Sequence, residues 1–297
     1  MDLLAELEER LIFGDGAMGT LLLDRGVPVD HCLEELCVSE PGRIQTVHEE
    51  YVAAGARIIE TNTFGANSVR LSRFGLEDRV AEINKAAVRL ARNATRGKDL
   101  CVAGSVGPLG ISNHEAEERG IDRSECFREQ AAALIEAGVD LIFFETFLNF
   151  EEMEIALHAV PKSDCIIVSL FACEPEARLQ SGMPLVDAFA RCHGLGAKIV
   201  GANCLNGPRA MVQLFEELPA GDLLAAYPNA GYPRYSEGRY VYPTDPDYFA
   251  KAAREIAAQG ARLIGGCCGT TPAHIAAVSK VLVDLRPGRS KSACLVG

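Results

Sequence analysis

Eight short β-rich apolar runs, separated by stretches of helical periodicity, constrain this chain more than any other feature. The runs are LIFGDG (11–16), RIIETN (57–62), LCVAGSVG (100–107), DLIFFET (140–146), CIIVSLF (165–171), KIVGANC (198–204), DLLAAYPN (222–229) and ARLIGGCC (261–268). Between and after them lie segments such as EDRVAEINKAAVRLARN and DPDYFAKAAREIAAQG, whose apolar positions fall near i, i+3, i+4 and i+7. Most of these open on Pro, Asp, Ser or Glu and several close on Gly, residue types that satisfy helix ends. Runs that are apolar on both faces and alternate strictly with helices imply a parallel sheet covered on both sides. Eight repeats of that unit favour closure into an α/β fold, the (β/α)8 TIM barrel. An open doubly wound sheet is the alternative, but it brings a Gly-rich phosphate turn after its first strand, and GDGAMGT lacks the GxGxxG spacing.

No Pro/Gly/Ser-rich linker divides residues 11 to 285, so the expected organisation is one barrel domain over 1–285 with 286–297 as a tail or linker. The turn-rich, aromatic segment YPNAGYPRYSEGRYVY (227–242) reads as a long loop after the seventh run. A net charge of −12 argues against nucleic acid or an anionic membrane as partner, because both require a concentrated positive patch. The N-terminus is acidic and amphipathic rather than basic and then apolar, and no window approaches the ~18 apolar residues of a membrane span. Eleven cysteines without a regular framework spacing read as reduced thiols of a cytoplasmic protein.

A parallel barrel builds its site at the carboxyl ends of its strands, which narrows the search to the reactive side chains there. Asp15, Glu60 with Thr61, Ser105, Glu145, Cys204, Asn229, and Cys267 with Cys268 all end or follow a run. The cysteine pair alone proves little, since eleven cysteines scattered at random give roughly 0.4 adjacent pairs. Position adds weight: the sixth and eighth runs lie two places apart around a barrel, so Cys204, Cys267 and Cys268 can converge on one point. The glycines of GGCCG are expected to let the backbone curl so that neighbouring cysteines face it. Three thiolates and one vacant position describe a catalytic rather than a structural zinc site. A substrate thiol entering the vacancy would be deprotonated, and an electron-rich all-sulfur centre suits sulfur alkylation better than hydrolysis. Asp15 and Glu145 would hold a substrate ammonium; backbone amides around Gly16 to Thr20 and near Thr61 would take a carboxylate. Thr61 and Thr63 alternate, and only one need face the pocket. The six histidines show no ligand spacing, while TTPAHI places Thr271 and Pro272 at a helix start that could bind phosphate.

The segments GDGAMGT, ETNTFGAN, GSVGPLG, FFETF, GANC, YPNAG and GGCCGTTPAHI together resemble the homocysteine S-methyltransferases, zinc-dependent barrels, over residues 10 to 285. The resemblance implies Cys204, Cys267 and Cys268 as both zinc ligands and catalytic centre. It implies Asp15, Thr61, Glu145 and, less directly, Ser105 and Asn229 as contacts to L-homocysteine. VSEPGRIQTVHEEYVAAGA, LSRFGLEDRV and the 227–242 loop are most similar to the homocysteine half of bacterial bifunctional proteins that also carry a methylenetetrahydrofolate reductase. The homocysteine module of cobalamin-dependent methionine synthase is similar as well. A corrinoid protein or reductase domain is therefore an implied partner. Betaine is disfavoured as methyl donor because the chain has no Trp for an aromatic cage. S-methylmethionine, S-adenosylmethionine and a methylcorrinoid delivered from elsewhere remain open. So do two other readings: methylation of a different thiol, and a zinc-holding barrel that acts as a non-catalytic scaffold or regulatory subunit.

Overall fold

Each of the eight runs forms a strand, shorter than its apolar stretch, in the computed structural model, which describes residues 2–204, 207–219, 221–236 and 239–282. The barrel strands are β1 (Ile12–Phe13), β2 (Ile58–Glu60), β3 (Cys101–Val106), β4 (Leu141–Phe147), β5 (Ile166–Phe171), β6 (Ile199–Asn203), β7 (Leu224–Tyr227) and β10 (Ala261–Ile264). Two further strands, β8 (Arg234–Ser236) and β9 (Arg239–Val241), pair antiparallel in the connection after β7. The segment expected to be a loop thus carries a hairpin, in which Tyr235 and Tyr240 stack edge to face at 5.4 Å.

All barrel pairings are parallel, in the order β1-β10-β7-β6-β5-β4-β3-β2. The ring closes between its two ends: Gly14 bridges Ile58 in parallel, Arg57 N donates to Phe13 O at 2.7 Å and Asp15 N to Ile58 O at 3.1 Å. That closure excludes the open doubly wound sheet. Helices Pro41–Ala53, Val80–Thr95, Arg123–Ala137, Phe150–Ala159, Leu185–Gly194, Pro208–Glu217, Pro246–Ala258 and Pro272–Leu282 follow the strands in turn. Their ends have the expected chemistry. Asp122 accepts from Glu125 N at 3.1 Å, Asn149 from Glu152 N at 2.9 Å, and Gly138 ends its helix at φ +89°.

The twofold period of a strand sorts its side chains into two cores. In β4, Ile142 and Phe144 join the cluster under the helices while Leu141 and Phe143 join the cluster in the barrel lumen. Each such fully buried side chain contributes about 1.5–3 kcal/mol. The lumen also receives Leu3 and Leu7 from the N-terminal helix Leu3–Glu9, which closes its amino end. Continued by two residues, the inward register reaches polar groups: Ile58 leads to Glu60, Ala103 to Ser105, Phe143 to Glu145 and Ile199, through Gly201, to Asn203. The alternation that fills the core therefore also delivers the site. Gly201 pairs with Ala225 of β7, and a Cβ there would fall 1.9 Å from Ala225 O. No helix among the described residues is long and apolar enough to cross a membrane. Residues 286–297, expected to be a tail or linker, lie outside the described residues.

Candidate metal centre and substrate cavity

Cys204 directly follows β6, and Cys267 and Cys268 follow β10. Their sulfurs lie within 4.8 Å of one another, with Cys204 Sγ 3.8 Å from Cys268 Sγ. The backbone after β7 ties the two ends together. Tyr227 O accepts from Cys204 N at 3.0 Å, Pro228 O accepts from Cys267 N at 2.9 Å, and Ala230 N donates to Cys268 O at 2.9 Å. Cys204 adopts φ +56°, a conformation that costs a non-glycine residue about 1–2 kcal/mol. The glycines before the pair act differently from the expected curl, for neither Gly265 nor Gly266 has a positive φ. They make room: a Cβ on Gly265 would fall 2.2 Å from the ring of Tyr227 and one on Gly266 2.5 Å from Thr270 Oγ1.

The three thiols behave as one unit. Donation from Cys204 and Cys267 holds Cys268 as a thiolate and brings its pKa down to about 3. The hydrogen bond from Cys267 lowers Cys204, but its own bond to Cys268 and burial prevail and push it up to about 12. Cys267 is raised by its hydrogen bonds to Cys204 and to Cys268 and then by burial. Tetrahedral coordination at a metal–sulfur distance of ~2.3 Å sets ligand sulfurs ~3.8 Å apart, so the triad fits such an ion.

The same cavity, about 590 Å³, is lined by Asp15, Glu60 and Glu145 together with the three cysteines. Asp15 Oδ2 accepts from Glu60 N at 2.9 Å. Glu145 accepts from Ser105 Oγ and, at 3.3 Å, from Asn203 Nδ2. Asn203 is itself fixed by Thr146, whose N donates to Asn203 Oδ1 at 2.8 Å and whose Oγ1 lies 2.7 Å from Nδ2. Burial raises all three acids; repulsion from Glu145 adds to the rise at Glu60 and Asp15, while the Ser105 hydrogen bond tempers it at Glu145. Among the described residues no basic side chain forms an ion pair with any of the three. Acids buried without a counter-ion are costly, and a cationic group arriving from solution would relieve that cost.

Thr61 and Thr63 both line the cavity, where one was expected to suffice. Their hydroxyls lie 2.6 Å apart, Thr61 Oγ1 accepts from Ser105 N at 3.2 Å and Thr63 Oγ1 donates to Ser105 O at 2.7 Å, bracing β3 against β2. Asn229 is not among the residues that line the cavity; it hydrogen-bonds Cys204, helping to lower that thiol, with Oδ1 buried and without a partner among the described residues. The helix start at Thr271 is occupied by its own chain. His274 Nδ1 accepts from Thr271 N at 3.2 Å and its Nε2 lies 2.9 Å from Thr244 O, so the Thr271 amide is already paired within the chain.

Sequence reasoning placed Glu60 at a strand end without giving it a role, and passed over Asn203, Thr146 and Tyr227. Once the structure places Ile58 and Ile199 in the lumen, the twofold period leads to Glu60 and Asn203. Tyr227 had a different signal, the glycines of GDG and GGCC: its ring lies between Gly14 and Gly265, where a Cβ would come within 2.1 and 2.2 Å.

The homocysteine S-methyltransferase family model matches residues 12–282. The methionine synthase of Mycobacterium tuberculosis is 33% identical over 98% of this chain, and that of Mycobacterium leprae 31% over 97%. This chain spans about a quarter of each, 26%. Among solved structures, the metallated homocysteine methyltransferase MmuM of Escherichia coli is 31% identical with a TM-score of 0.73, covering 91% of this chain and 96% of that one. A methyltransferase from Methanosarcina mazei, at 12% identity and TM-score 0.60, shares the fold. With a match that runs from β1 into the last helix and takes in all three cysteines, the chain belongs to the homocysteine S-methyltransferase family.

Proposed function

We propose that this protein methylates the sulfur of L-homocysteine to give L-methionine, with zinc (Zn2+) held by Cys204, Cys267 and Cys268. One observation carries the reading: a convergent thiol triad and a cluster of carboxylates without ion-pair partners share one cavity, complementary to the thiol and the ammonium of a single small amino acid. Bound at the triad, zinc would supply Lewis acidity, so that the homocysteine sulfur is a thiolate at neutral pH.

The chain's own residues do the rest. Asp15, Glu60 and Glu145 receive the ammonium, Ser105 and Asn203 hold Glu145 in place, and Thr61 and Thr63 keep β2 and β3 in register beneath it. Fixing the amino-acid end aims the sulfur at the methyl carbon, and alignment is the main catalytic contribution open to residues that exchange no proton in the step. The sulfur forms its bond to the methyl as the donor's bond to it breaks, and the electron pair stays with the donor.

Two donor classes fit: a free sulfonium such as S-methylmethionine or S-adenosylmethionine, and a methylcorrinoid on another domain or protein. The greater length of the methionine synthases supports the second class. The barrel over 1–285 with 286–297 as tail or linker, and a cytoplasmic setting that keeps the thiols reduced, belong to the same reading. Methionine formation from homocysteine by zinc-loaded protein, with each sulfonium, betaine and methylcobalamin in parallel, tests it. We expect turnover with a sulfonium or with methylcobalamin, lost on chelation and restored by zinc. Silence with every donor, or turnover indifferent to metal, overturns it.

A further inference from the structure

The cavity has a second charged station. Its wall carries Glu34, on the connection after β1, and Arg70, on the short helix Ser68–Leu71 after β2. Both are half-buried and they pass over the same glycine: a Cβ on Gly65 would lie 2.6 Å from Glu34 Oε1 and 3.2 Å from Arg70 Cδ. Opposite charges this close on a protein surface ordinarily pair, yet among the described residues neither has an ion-pair partner within 4 Å, the other included. Each is instead held from behind. Arg70 Nε donates to Pro108 O at 2.9 Å and its guanidinium lies over the Phe64 ring at 5.0 Å. Glu34 Oε1 accepts from Gly65 N at 2.8 Å, and Cys32 Sγ lies 3.6 Å from Oε2.

These contacts leave the functional ends available. The two terminal nitrogens of Arg70 make no hydrogen bond among the described residues, and each carboxylate oxygen of Glu34 has a further lone pair to offer. A guanidinium with a fixed plane takes a carboxylate in bidentate fashion, and a carboxylate takes an ammonium through charge-assisted bonds. A fixed anion beside a fixed cation, too far apart to pair, is complementary to a zwitterion.

We propose that Glu34 and Arg70 form a second amino-acid headgroup site, which holds the ammonium and carboxylate of a methyl donor that is itself an α-amino-acid sulfonium. The inference rests on the reading of the thiol triad and the carboxylate cluster as the homocysteine site, since one zwitterion must already occupy the inner station for the outer one to serve the donor. In the transfer the donor's sulfur–methyl bond breaks and its electron pair returns to that sulfur. The homocysteine sulfur gains the methyl, and a neutral thioether amino acid leaves from the Glu34–Arg70 station.

Calorimetric titration of the zinc-loaded protein with S-methylmethionine, with the inner station filled by homoserine, which lacks the nucleophilic sulfur, tests this without turnover. One equivalent should bind to the wild type. Arg70→Met and Glu34→Gln should each weaken that binding roughly 10- to 100-fold, the loss that goes with one charged hydrogen-bonding partner. Zinc content, homocysteine affinity and thermal midpoint should stay at wild-type values, and in steady state the donor KM should rise with kcat retained. S-methylmethionine affinity unchanged in both variants, or no binding to the wild type, overturns the inference while leaving the homocysteine site intact. Equal losses of homocysteine and donor affinity would also overturn it, assigning the station to homocysteine. A wild type that binds neither zinc nor homocysteine would instead sink the underlying reading. The thermal midpoint identifies a variant that has merely misfolded, and the second variant then carries the test.

Discussion

Cys192 and Cys268 are the same residue type in the same barrel, and their surroundings make them chemically opposite. Cys192 lies on helix Leu185–Gly194, fully buried in the core outside the sheet, where burial pushes its thiol up to about 12. Cys37 and Cys173 are raised as far by the same cause. Cys268 is half-buried at the mouth of the lumen, and two neighbouring thiols hold it ionised, with a pKa of about 3. The difference teaches that thiol chemistry here depends on which end of which strand presents the sulfur, and on the company it meets there. A count of cysteines carries none of that information.

The largest effect that can break or uphold this contrast is metal retention. Cys268→Ala should drop zinc from about one per chain to near zero and abolish methionine formation, while circular dichroism stays that of the folded barrel. Cys192→Ala should keep both zinc and activity and lose only about 1 kcal/mol of stability to a small core cavity. Zinc analysis of the two purified variants decides the matter. Metal lost equally from both would mean that the outer core, not the strand-end geometry, supports the site. In chelated protein at pH 7, a thiol-alkylating reagent followed by peptide mapping should mark Cys268 first and leave Cys37, Cys173 and Cys192 unmodified.

The carboxylate cluster extends the comparison to stability. Glu145→Gln should weaken homocysteine binding roughly 10- to 100-fold, as expected for a charged hydrogen-bond partner. Glu60→Gln should also weaken it but raise the thermal midpoint of the ligand-free protein by about 2–4 °C, the shift produced by ~1 kcal/mol in a domain of this size. The sign follows from linkage. Burial holds these acids above their unfolded values, so the folded state binds protons more tightly and loses stability as pH rises through that window. Thermal melts between pH 5 and 8 should therefore show the wild type gaining stability on acidification and Glu60→Gln gaining less. Equal slopes would show that the cluster is not where the cost lies.

The barrel was legible because the strong signals were long-range and redundant. Eight helical segments each carried their own period and end chemistry, and all eight formed. The cysteine triad was legible because its members stand at run ends that only a closed barrel brings together. What stayed hidden was parity. RIIETN is apolar enough on both faces that nothing in it says whether Ile58 and Glu60 or Ile59 and Thr61 face inward, and a parallel strand buried on both sides erases the alternation that would tell. Thr61 was accordingly singled out for the site, while Glu60, which lines the same cavity, was left without a role. The Arg234–Val241 hairpin was missed because Gly, Pro and Tyr dominate its surroundings and each of its strands is only three residues long.

That missed segment also supplies the smallest effect. Tyr242 follows β9, its ring lies where a side chain on Gly269 would be, and Gly269, at φ +79°, is the residue that turns the chain just after Cys268. Its hydroxyl helps hold Cys268 ionised, after the two thiols. Tyr242→Phe keeps the ring on Gly269 and removes only the donor, so zinc affinity should fall by about tenfold, the lower end for a residue that supports a ligand from behind. Homocysteine affinity of the zinc-saturated protein should not change, because the carboxylate cluster is untouched. Competition with a chelator of known affinity measures the first quantity and calorimetry the second. A loss matching that of Cys268→Ala would promote Tyr242 from support to ligand, and the contrast between the two cysteine environments would then depend on the loop after β7 as much as on the strands.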